Sequence, residues 1–213
     1  SNRNIRRKQP GDVLLSYKYF MDELTPEQRK ECVLIFHCAP IDENGTDLPR
    51  LKKHLIPDYD ICFTYDTDGK PFGDKEMNLL FNSADVYINL ASNEGFGLGS
   101  AEALTVGTPI IVNVTGGLQD QCGFKKDGKF LTPDDYISLG SNHLGTYKEH
   151  GEWVFPVYPT NRSLQGSPAT PYIWDDRCMP EDASVQLRKL YDLGREERKR
   201  LGSLGTEFCK MYP

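Results

Sequence analysis

Two glutamates and three glycines share a short stretch near the middle of the chain. The stretch SNEGFGLGSAEAL (92–104) holds Glu94 and Glu102, with Gly95, Gly97 and Gly99 between them. Glycines let a backbone approach a ligand closely, and the first amides of a following helix offer unpaired N–H groups at the positive end of the helix dipole. The loop therefore predicts an anion site, and the two carboxylates beside it are suited to binding hydroxyl groups.

The elements around this loop predict an α/β fold with a parallel sheet. Helix-length stretches with apolar residues at helical spacing lie between the strand-like runs, and another such stretch follows Pro10. Parallel neighbours need a crossover helix, so this alternation favours a parallel sheet. The strand-like runs cover residues 33–40, 61–67, 86–90 and 109–114.

The last third of the chain has a different pattern. Residues 125–176 are rich in Gly, Pro, Tyr, Asn and Ser and hold one short strand candidate, WVFPVY (153–158). This composition predicts a loop-rich insertion within a single domain over residues 1–213. Helical spacing returns after Pro180 and predicts closing helices over about 180–211.

Composition limits the classes of function. The 213 residues carry a net charge of −6 and are 38% hydrophobic, so no overall positive field would draw the chain to nucleic acid. No apolar run has the roughly 20 residues that span a bilayer, and there is no signal-peptide core. We expect a cytoplasmic protein without a transmembrane segment. The six cysteines lack zinc-site spacing, so we expect reduced thiols and no bound metal or cofactor.

The order of acids and glycines separates two kinds of nucleotide site. A dinucleotide fingerprint normally opens the first βα unit and has its acid about 20 residues later. Here the loop follows about the fourth strand, with Glu94 just before the glycines and Glu102 inside the helix. A ligand with hydroxyls at both ends of an anionic middle fits this order, and a nucleotide sugar is such a ligand.

A longer match surrounds the two glutamates. The E-x7-E pair, the preceding FNSADVYINLASN (81–93) and the following GTPIIVNVTGG (107–117) resemble the donor-site signature of retaining GT-B glycosyltransferases of the family-4 type. The resemblance implies a Rossmann-like, three-layer α/β/α domain that forms one half of a GT-B fold, the C-terminal half that binds the donor. It also implies a missing N-terminal acceptor domain.

The resemblance assigns roles to individual residues. Glu94 would bind hydroxyls of the transferred hexose and Glu102 the ribose. Arg3 and Lys8, from the basic start NRNIRRKQP, would stabilise the departing diphosphate without a metal, with Arg7 as the alternate for Lys8. Other donor-binding residues that it implies are Gly95, Phe96, Gly97, Leu98, Gly99, Gly116 and Gly117.

The end of the second strand-like run is the expected nucleobase region. In GT-B donor domains the loop after this strand lies near the base, which assigns Thr64, Tyr65 and Asp66 to donor binding. Acids there can accept hydrogen bonds from guanine, which favours a GDP-sugar slightly over a UDP-sugar. Asp66 and Asp68 also form a D-x-D, as metal-dependent GT-A enzymes have, but that reading leaves Glu94 and Glu102 without a role.

The resulting hypothesis is the donor-binding domain of a hexosyltransferase. It would bind a nucleotide-sugar donor such as GDP-mannose, and the whole enzyme would transfer the hexose to a glycan or other hydroxyl acceptor. Two alternatives remain open: a non-catalytic nucleotide-sugar-binding subunit, and a sugar-nucleotide epimerase of similar fold. A dinucleotide-binding oxidoreductase is a more distant alternative.

Overall fold

The computed structural model describes residues 1–65 and 72–211, and its main strands run parallel. β1 pairs with β2, while β4 lies between β3 and β7. Mixed α/β architecture with parallel strands is therefore confirmed. The strands are β1 (Leu34–Phe36), β2 (Ile61–Phe63), β3 (Tyr87–Asn89), β4 (Ile110–Asn113), β5 (Lys125–Lys126), β6 (Lys129–Phe130), β7 (Val154–Val157), β8 (Asn161–Ser167) and β9 (Thr170–Arg177).

Side-chain caps fix several helix starts. Asp47 accepts from the Arg50 amide before α3, and Thr25 and Thr132 form capping boxes before α2 and α6. The last helix breaks at Gly194, where φ is +73°, between the two predicted helical stretches. The helices are α1 (Pro10–Asp22), α2 (Pro26–Arg29), α3 (Leu48–Leu55), α4 (Asp74–Ser83), α5 (Leu98–Thr105), α6 (Pro133–Leu139) and α7 (Pro180–Cys209).

Apolar cores cover both faces of the sheet. Successive residues of β4 point to opposite faces, because side chains alternate along a strand. Ile111 packs into one core with Leu14 of α1 and Leu190 of α7, while Ile110 packs into the other with Leu104 of α5. A sheet buried on both faces is typical of parallel strands joined by crossover helices, and it explains why the strand runs are continuously apolar.

The region predicted as loops contains more regular structure than its composition indicates. Its one predicted strand is β7, which is hydrogen-bonded to β4 in the main sheet. After β7, the antiparallel pair β8 and β9 forms a hairpin over residues 161–177. The Asp176 amide donates to the Ser92 carbonyl at 2.8 Å, so the hairpin lies against the end of β3 and the glycine loop.

Membrane-spanning helices and metal-binding clusters are both absent from the described residues. None of the helices in residues 1–65 and 72–211 is long and apolar enough to cross a membrane. The same residues hold no group of three or more His, Cys, Asp or Glu side chains arranged to bind a metal ion.

Candidate functional site

The glycine loop between β3 and α5 packs against the turn that follows β4. Gly97 has φ +87°, and a Cβ there would lie 2.4 Å from Leu118 Cδ2. The Gly117 amide donates to the Glu94 carbonyl at 2.9 Å, and a Cβ on Gly117 would lie 2.2 Å from the Gly95 oxygen. Two backbones meet here at a distance that only glycine permits.

A buried glutamine also supports the loop. Gln121 Nε2 donates to the carbonyls of Phe96 (2.6 Å) and Gly97 (3.2 Å). The first backbone hydrogen bonds of α5 are those of Ser100 and Ala101 to the Gly97 carbonyl. The amides of Leu98 and Gly99 precede them and have no intrahelical acceptor, which is the arrangement that favours an anion at a helix start.

Glu94 lies at the centre of a cation cluster. Its carboxylate pairs with the Lys8 ammonium through Oε1 and with the Arg7 guanidinium through Oε2, the latter at 3.2 Å. Arg7 also donates to the Asn93 carbonyl at 3.0 Å. The side chains of Glu94 and Lys8 are only 7% and 12% exposed. Sequence reasoning left Arg7 and Lys8 as alternates, and the structure brings both to the same carboxylate.

Burial lowers the pKa of Lys8. Loss of solvent, and to a lesser extent the adjacent Arg7 charge, lowers the pKa of Lys8 to about 8 although Glu94 faces its ammonium. Lys8 is therefore still protonated at neutral pH, and it is a poorly hydrated cation that an incoming anion can bind without displacing much water.

The basic segment, residues 2–10, is anchored by an asparagine that the sequence analysis did not select. Asn4 is 1% exposed, and its Nδ2 donates to the Thr46 carbonyl at 2.7 Å and to the Ala39 carbonyl at 3.1 Å. The Ser92 amide donates to the Arg7 carbonyl at 2.8 Å. These bonds hold the basic segment across the ends of β1 and β3, so the positions of Arg7 and Lys8 are set by backbone contacts.

Other predicted site residues lie apart from this cluster. Arg3 is largely exposed and pairs with Asp42 at 3.1 Å. Glu102 is exposed on α5, about one turn after the helix begins at Leu98, whereas Glu94 precedes the helix. Thr64 and Tyr65 follow β2 beside the buried His37, whose Nδ1 lies 2.7 Å from Thr64 Oγ1. Asp66 and Asp68 lie outside the described residues.

The remaining predicted residues divide by exposure. Phe96 and Leu98 are 51% and 70% exposed, so much of the surface of each is open to solvent. A Cβ added to Gly95 would meet nothing within 4 Å, which leaves open space on the outer side of the loop. Gly116 contacts the Glu94 backbone from the opposite side.

A second carboxylate pair beside the loop comes from the hairpin. Asp176 is buried; it accepts from Thr115 Oγ1 at 2.8 Å and faces Arg162 Nε at 2.9 Å. The neighbouring Asp175 accepts from Ser92 Oγ. The dipeptide follows PYIW (171–174), whose Tyr, Ile and Trp favour strands, but the Gly- and Pro-containing surroundings led to a loop prediction.

The part of the chain around the glycine loop matches a known protein family. Residues 70–140 match the family Glycosyl transferases group 1. This part of the chain is therefore similar to glycosyl transferases group 1 proteins. The matched residues include β3, the glycine loop, α5, β4 and the turn with Gly116 and Gly117. Arg7, Lys8 and the β8–β9 hairpin lie outside them.

Curated relatives of this segment are longer proteins. A D-inositol 3-phosphate glycosyltransferase of Corynebacterium urealyticum is 35% identical over 131 residues, which cover 62% of this chain and 30% of the relative. The chain spans between 11% and 30% of the length of the curated relatives that it matches.

Solved glycosyltransferase structures share the fold over nearly the whole chain. Anabaena HepE, in complex with UDP and glucose, aligns with a TM-score of 0.60 at 11% identity, covering 99% of this chain and 42% of HepE. The C-terminal domain of a glycosyl transferase group 1 protein from Francisella tularensis aligns with a TM-score of 0.59 at 14% identity, covering 99% of this chain and 83% of that domain. These likenesses show the fold, which is that of GT-B glycosyltransferases.

Proposed function

We propose that the chain is the donor-binding, C-terminal domain of a retaining glycosyltransferase. It binds a nucleotide-diphosphate sugar, and the whole enzyme transfers the hexose to a hydroxyl of a glycan or other acceptor. One observation carries the proposal. Lys8 and Arg7 meet the Glu94 carboxylate beside the free amides of Leu98 and Gly99, which places cations, helix amides and a hydroxyl-binding carboxylate together.

The geometry divides the ligand among these groups. The diphosphate lies over the amides of Leu98 and Gly99, where the helix dipole favours negative charge. Lys8 and Arg7 neutralise the charge that grows on the leaving diphosphate as the bond to the sugar breaks. Glu94 accepts hydrogen bonds from hexose hydroxyls, and the two cations hold its carboxylate in place. Glu102, on the exposed side of α5, binds the ribose.

Arg3 joins this site only after a local rearrangement. The Arg3 side chain in its pair with Asp42 is 64% exposed, and ion pairs with such an exposed partner are weak. Exchange of Asp42 for a diphosphate is therefore inexpensive. With two or three cations and the helix amides present, leaving-group stabilisation in this proposal needs no metal.

Coverage and the likeness to a C-terminal domain support placement at the C-terminal end of a longer enzyme. The chain spans at most 30% of its curated relatives, and it aligns over 83% of a domain described as C-terminal. A preceding acceptor domain would complete the cleft in which transfer occurs. In this proposal the chain by itself binds the donor and transfers little.

The nucleobase and sugar are assigned separately. The aromatic group at the ends of β1 and β2 brings Tyr65 within 5.2 Å and Phe72 within 4.7 Å of the His37 ring, which forms an apolar wall for a base. The acids that follow Tyr65 in sequence favour guanine, so a GDP-sugar such as GDP-mannose is the first expectation. A UDP-sugar is the alternative, and HepE is described with UDP.

A thermal-shift panel tests donor binding. UDP-, GDP- and ADP-sugars are each added with and without EDTA. Ligand at 100 times Kd adds about 2.7 kcal/mol, which raises Tm by roughly 5–10 °C in a chain of this size. One base should stabilise the chain most, and EDTA should change nothing. Equal shifts with all three bases, or a shift that requires metal, would contradict the proposal.

A matched pair of lysine variants links binding to the site. Lys8→Ala should abolish the shift, because it removes the buried cation beside Glu94. Lys18→Ala removes a lysine that pairs with Asp22 on the surface of α1, and it should leave the shift intact. Turnover by the whole protein separates transfer from the two alternatives: a non-catalytic subunit shows no product, and an epimerase converts the donor without an acceptor.

A further inference from the structure

A cleft of about 660 Å³ lies between the basic segment and the β8–β9 hairpin. One wall is formed by residues 5–7 and 9–12, and the other by the hairpin at 165–167, 170, 173, 175 and 177. Its volume lies within the roughly 300–1,000 Å³ range of small-molecule sites. Arg7, which is assigned to donor binding, lies at the edge of this cleft, so the cleft adjoins the candidate donor site.

Strand alternation decides which hairpin residues face the cleft. Gln165 pairs in register with Ile173, and Asp175 and Arg177 follow on the same face of β9. Tyr172 and Trp174 lie on the opposite face, and Arg162 covers the Trp174 ring at 4.3 Å. The cleft face thus carries polar groups beside Ile173, while the reverse face carries the two aromatic rings and the buried Asp176.

The cleft shares its wall with the candidate donor site. Arg7 and Asn93 line it, and Arg7 also contacts Glu94. Asp175 lines it as well and accepts from Ser92, two residues before Glu94. Asn93 precedes Glu94 in the sequence, so a molecule in the cleft would lie next to the Glu94 carboxylate that is assigned to the hexose.

The lining offers both hydrogen-bond donors and acceptors. Arg177 is partly satisfied by Gln9 at 2.6 Å and Asp12 at 4.0 Å. Among residues 1–65 and 72–211, the Arg6 side chain has no hydrogen-bond or ion-pair partner. Asp175 and the Gln165 amide present acceptors and donors on the other wall. Alternating donors and acceptors suit a molecule that carries several hydroxyls, with an anionic substituent near Arg6.

We propose that this cleft binds the acceptor, a polyhydroxylated molecule such as a sugar or sugar phosphate, and that the hairpin face with Gln165 and Asp175 selects it. The inference rests on the proposed function, since it names the second substrate of the same site. The hairpin supplies an acceptor wall from the donor-binding chain itself, in addition to whatever a further domain contributes.

Saturation-transfer NMR on the 213-residue chain tests the cleft directly. The probes are glucose and glucose 6-phosphate, each in the presence of the nucleoside diphosphate that the thermal-shift panel selects. We expect saturation transfer to a sugar probe in the wild-type chain. Gln165→Ala and Ser167→Trp should each reduce it at least fivefold, the first by removing a hydrogen-bonding group and the second by filling the cleft.

Two further variants sharpen the outcome. Tyr172→Ala changes the opposite face of the same hairpin and should leave the sugar signal unchanged. Arg6→Ala should reduce only the glucose 6-phosphate signal, so equal loss for both probes would overturn the anion assignment. The nucleoside diphosphate signal should persist in all four variants. Its absence in the wild-type chain would refute the proposed function instead.

Three results would overturn the acceptor cleft. The first is no transfer to either sugar probe in the wild-type chain while the nucleoside diphosphate still binds. The second is an unchanged sugar signal in both Gln165→Ala and Ser167→Trp. The third is an equal loss of sugar signal in Tyr172→Ala, which would show that the hairpin acts only by folding.

Discussion

Removal of the Asp176 carboxylate should weaken the attachment of the hairpin to the rest of the chain. Asp176 is 1% exposed, and it accepts from Thr115 at the end of β4 while it faces Arg162 on β8. Asn113 Nδ2 donates to its carbonyl at 2.7 Å. Asp176→Ala leaves Arg162 without its counter-ion and Thr115 without its nearer acceptor.

The size of the loss follows from burial. Breaking a buried ion pair by removing one partner costs about 3–5 kcal/mol, because the remaining charge is uncompensated. Arg162 is 26% exposed and Thr115 retains the Ser92 carbonyl at 3.4 Å, so water and this second bond reduce the cost to the lower end. We expect a loss of about 3 kcal/mol, or roughly 6–12 °C in Tm.

Urea unfolding at pH 7, followed by circular dichroism, gives the free energy of unfolding. Asp176→Asn keeps an oxygen for Thr115 and should lose less than the alanine variant. Asp85→Ala is the matched control, since Asp85 is 68% exposed and its partner Arg198 keeps the Leu190 carbonyl at 3.1 Å. We expect the control to lose at most about 1 kcal/mol. A loss in Asp176→Ala no greater than in the control would refute the reasoning.

Three other predictions concern protonation and the glycine loop. Burial lowers the pKa of Lys8 to about 8. The affinity for a nucleoside diphosphate, measured by calorimetry, should therefore be constant below pH 8 and fall above it by up to tenfold per pH unit. Lys8→Arg should remove this fall, because arginine stays charged. Gly97→Ala should cost about 2 kcal/mol in urea unfolding, from a φ of +87° and a contact with Leu118; no loss would mean that the loop relaxes freely. Burial raises the pKa of Asp120 to about 6, so its ionisation destabilises the fold as pH rises from 3.8 through 6. Asp120→Asn should therefore stabilise the chain by about 1 kcal/mol at pH 7.5, after allowance for solvent screening. At pH 3.5 the same variant should not stabilise it.

The sequence predicted the sheet because its strands are buried on both faces. Ile110, Ile111 and Val112 are fully buried, and a continuous apolar run needs no knowledge of partners to indicate a strand. Strand ends were less well predicted. The run 61–67 was expected to be extended, whereas β2 ends at Phe63, although the Thr64 amide still donates to the Phe36 carbonyl of the neighbouring strand at 3.1 Å.

The site was predictable where a residue type has few other uses. Glycine is required at 97 and 117 by backbone geometry, and the glutamate beside the loop is held by the cations that precede α1. Arg3 and Glu102 show what spacing does not determine, since both are exposed and neither contacts Glu94. Their assigned roles stay predictions that ligand binding must test.

The hairpin was not predicted because charge, and not apolar burial, attaches it to the rest of the chain. Hydrophobic periodicity detects a strand by its apolar face, but the buried position that fixes this hairpin is Asp176, paired with Arg162 and Thr115. Polar strands of this kind contribute hydrogen-bonding groups to a neighbouring site at little cost in apolar packing. A stretch whose composition predicts a loop can therefore form a hairpin, and the hairpin over residues 161–177 is attached beside the glycine loop by the hydrogen bond from the Asp176 amide to the Ser92 carbonyl.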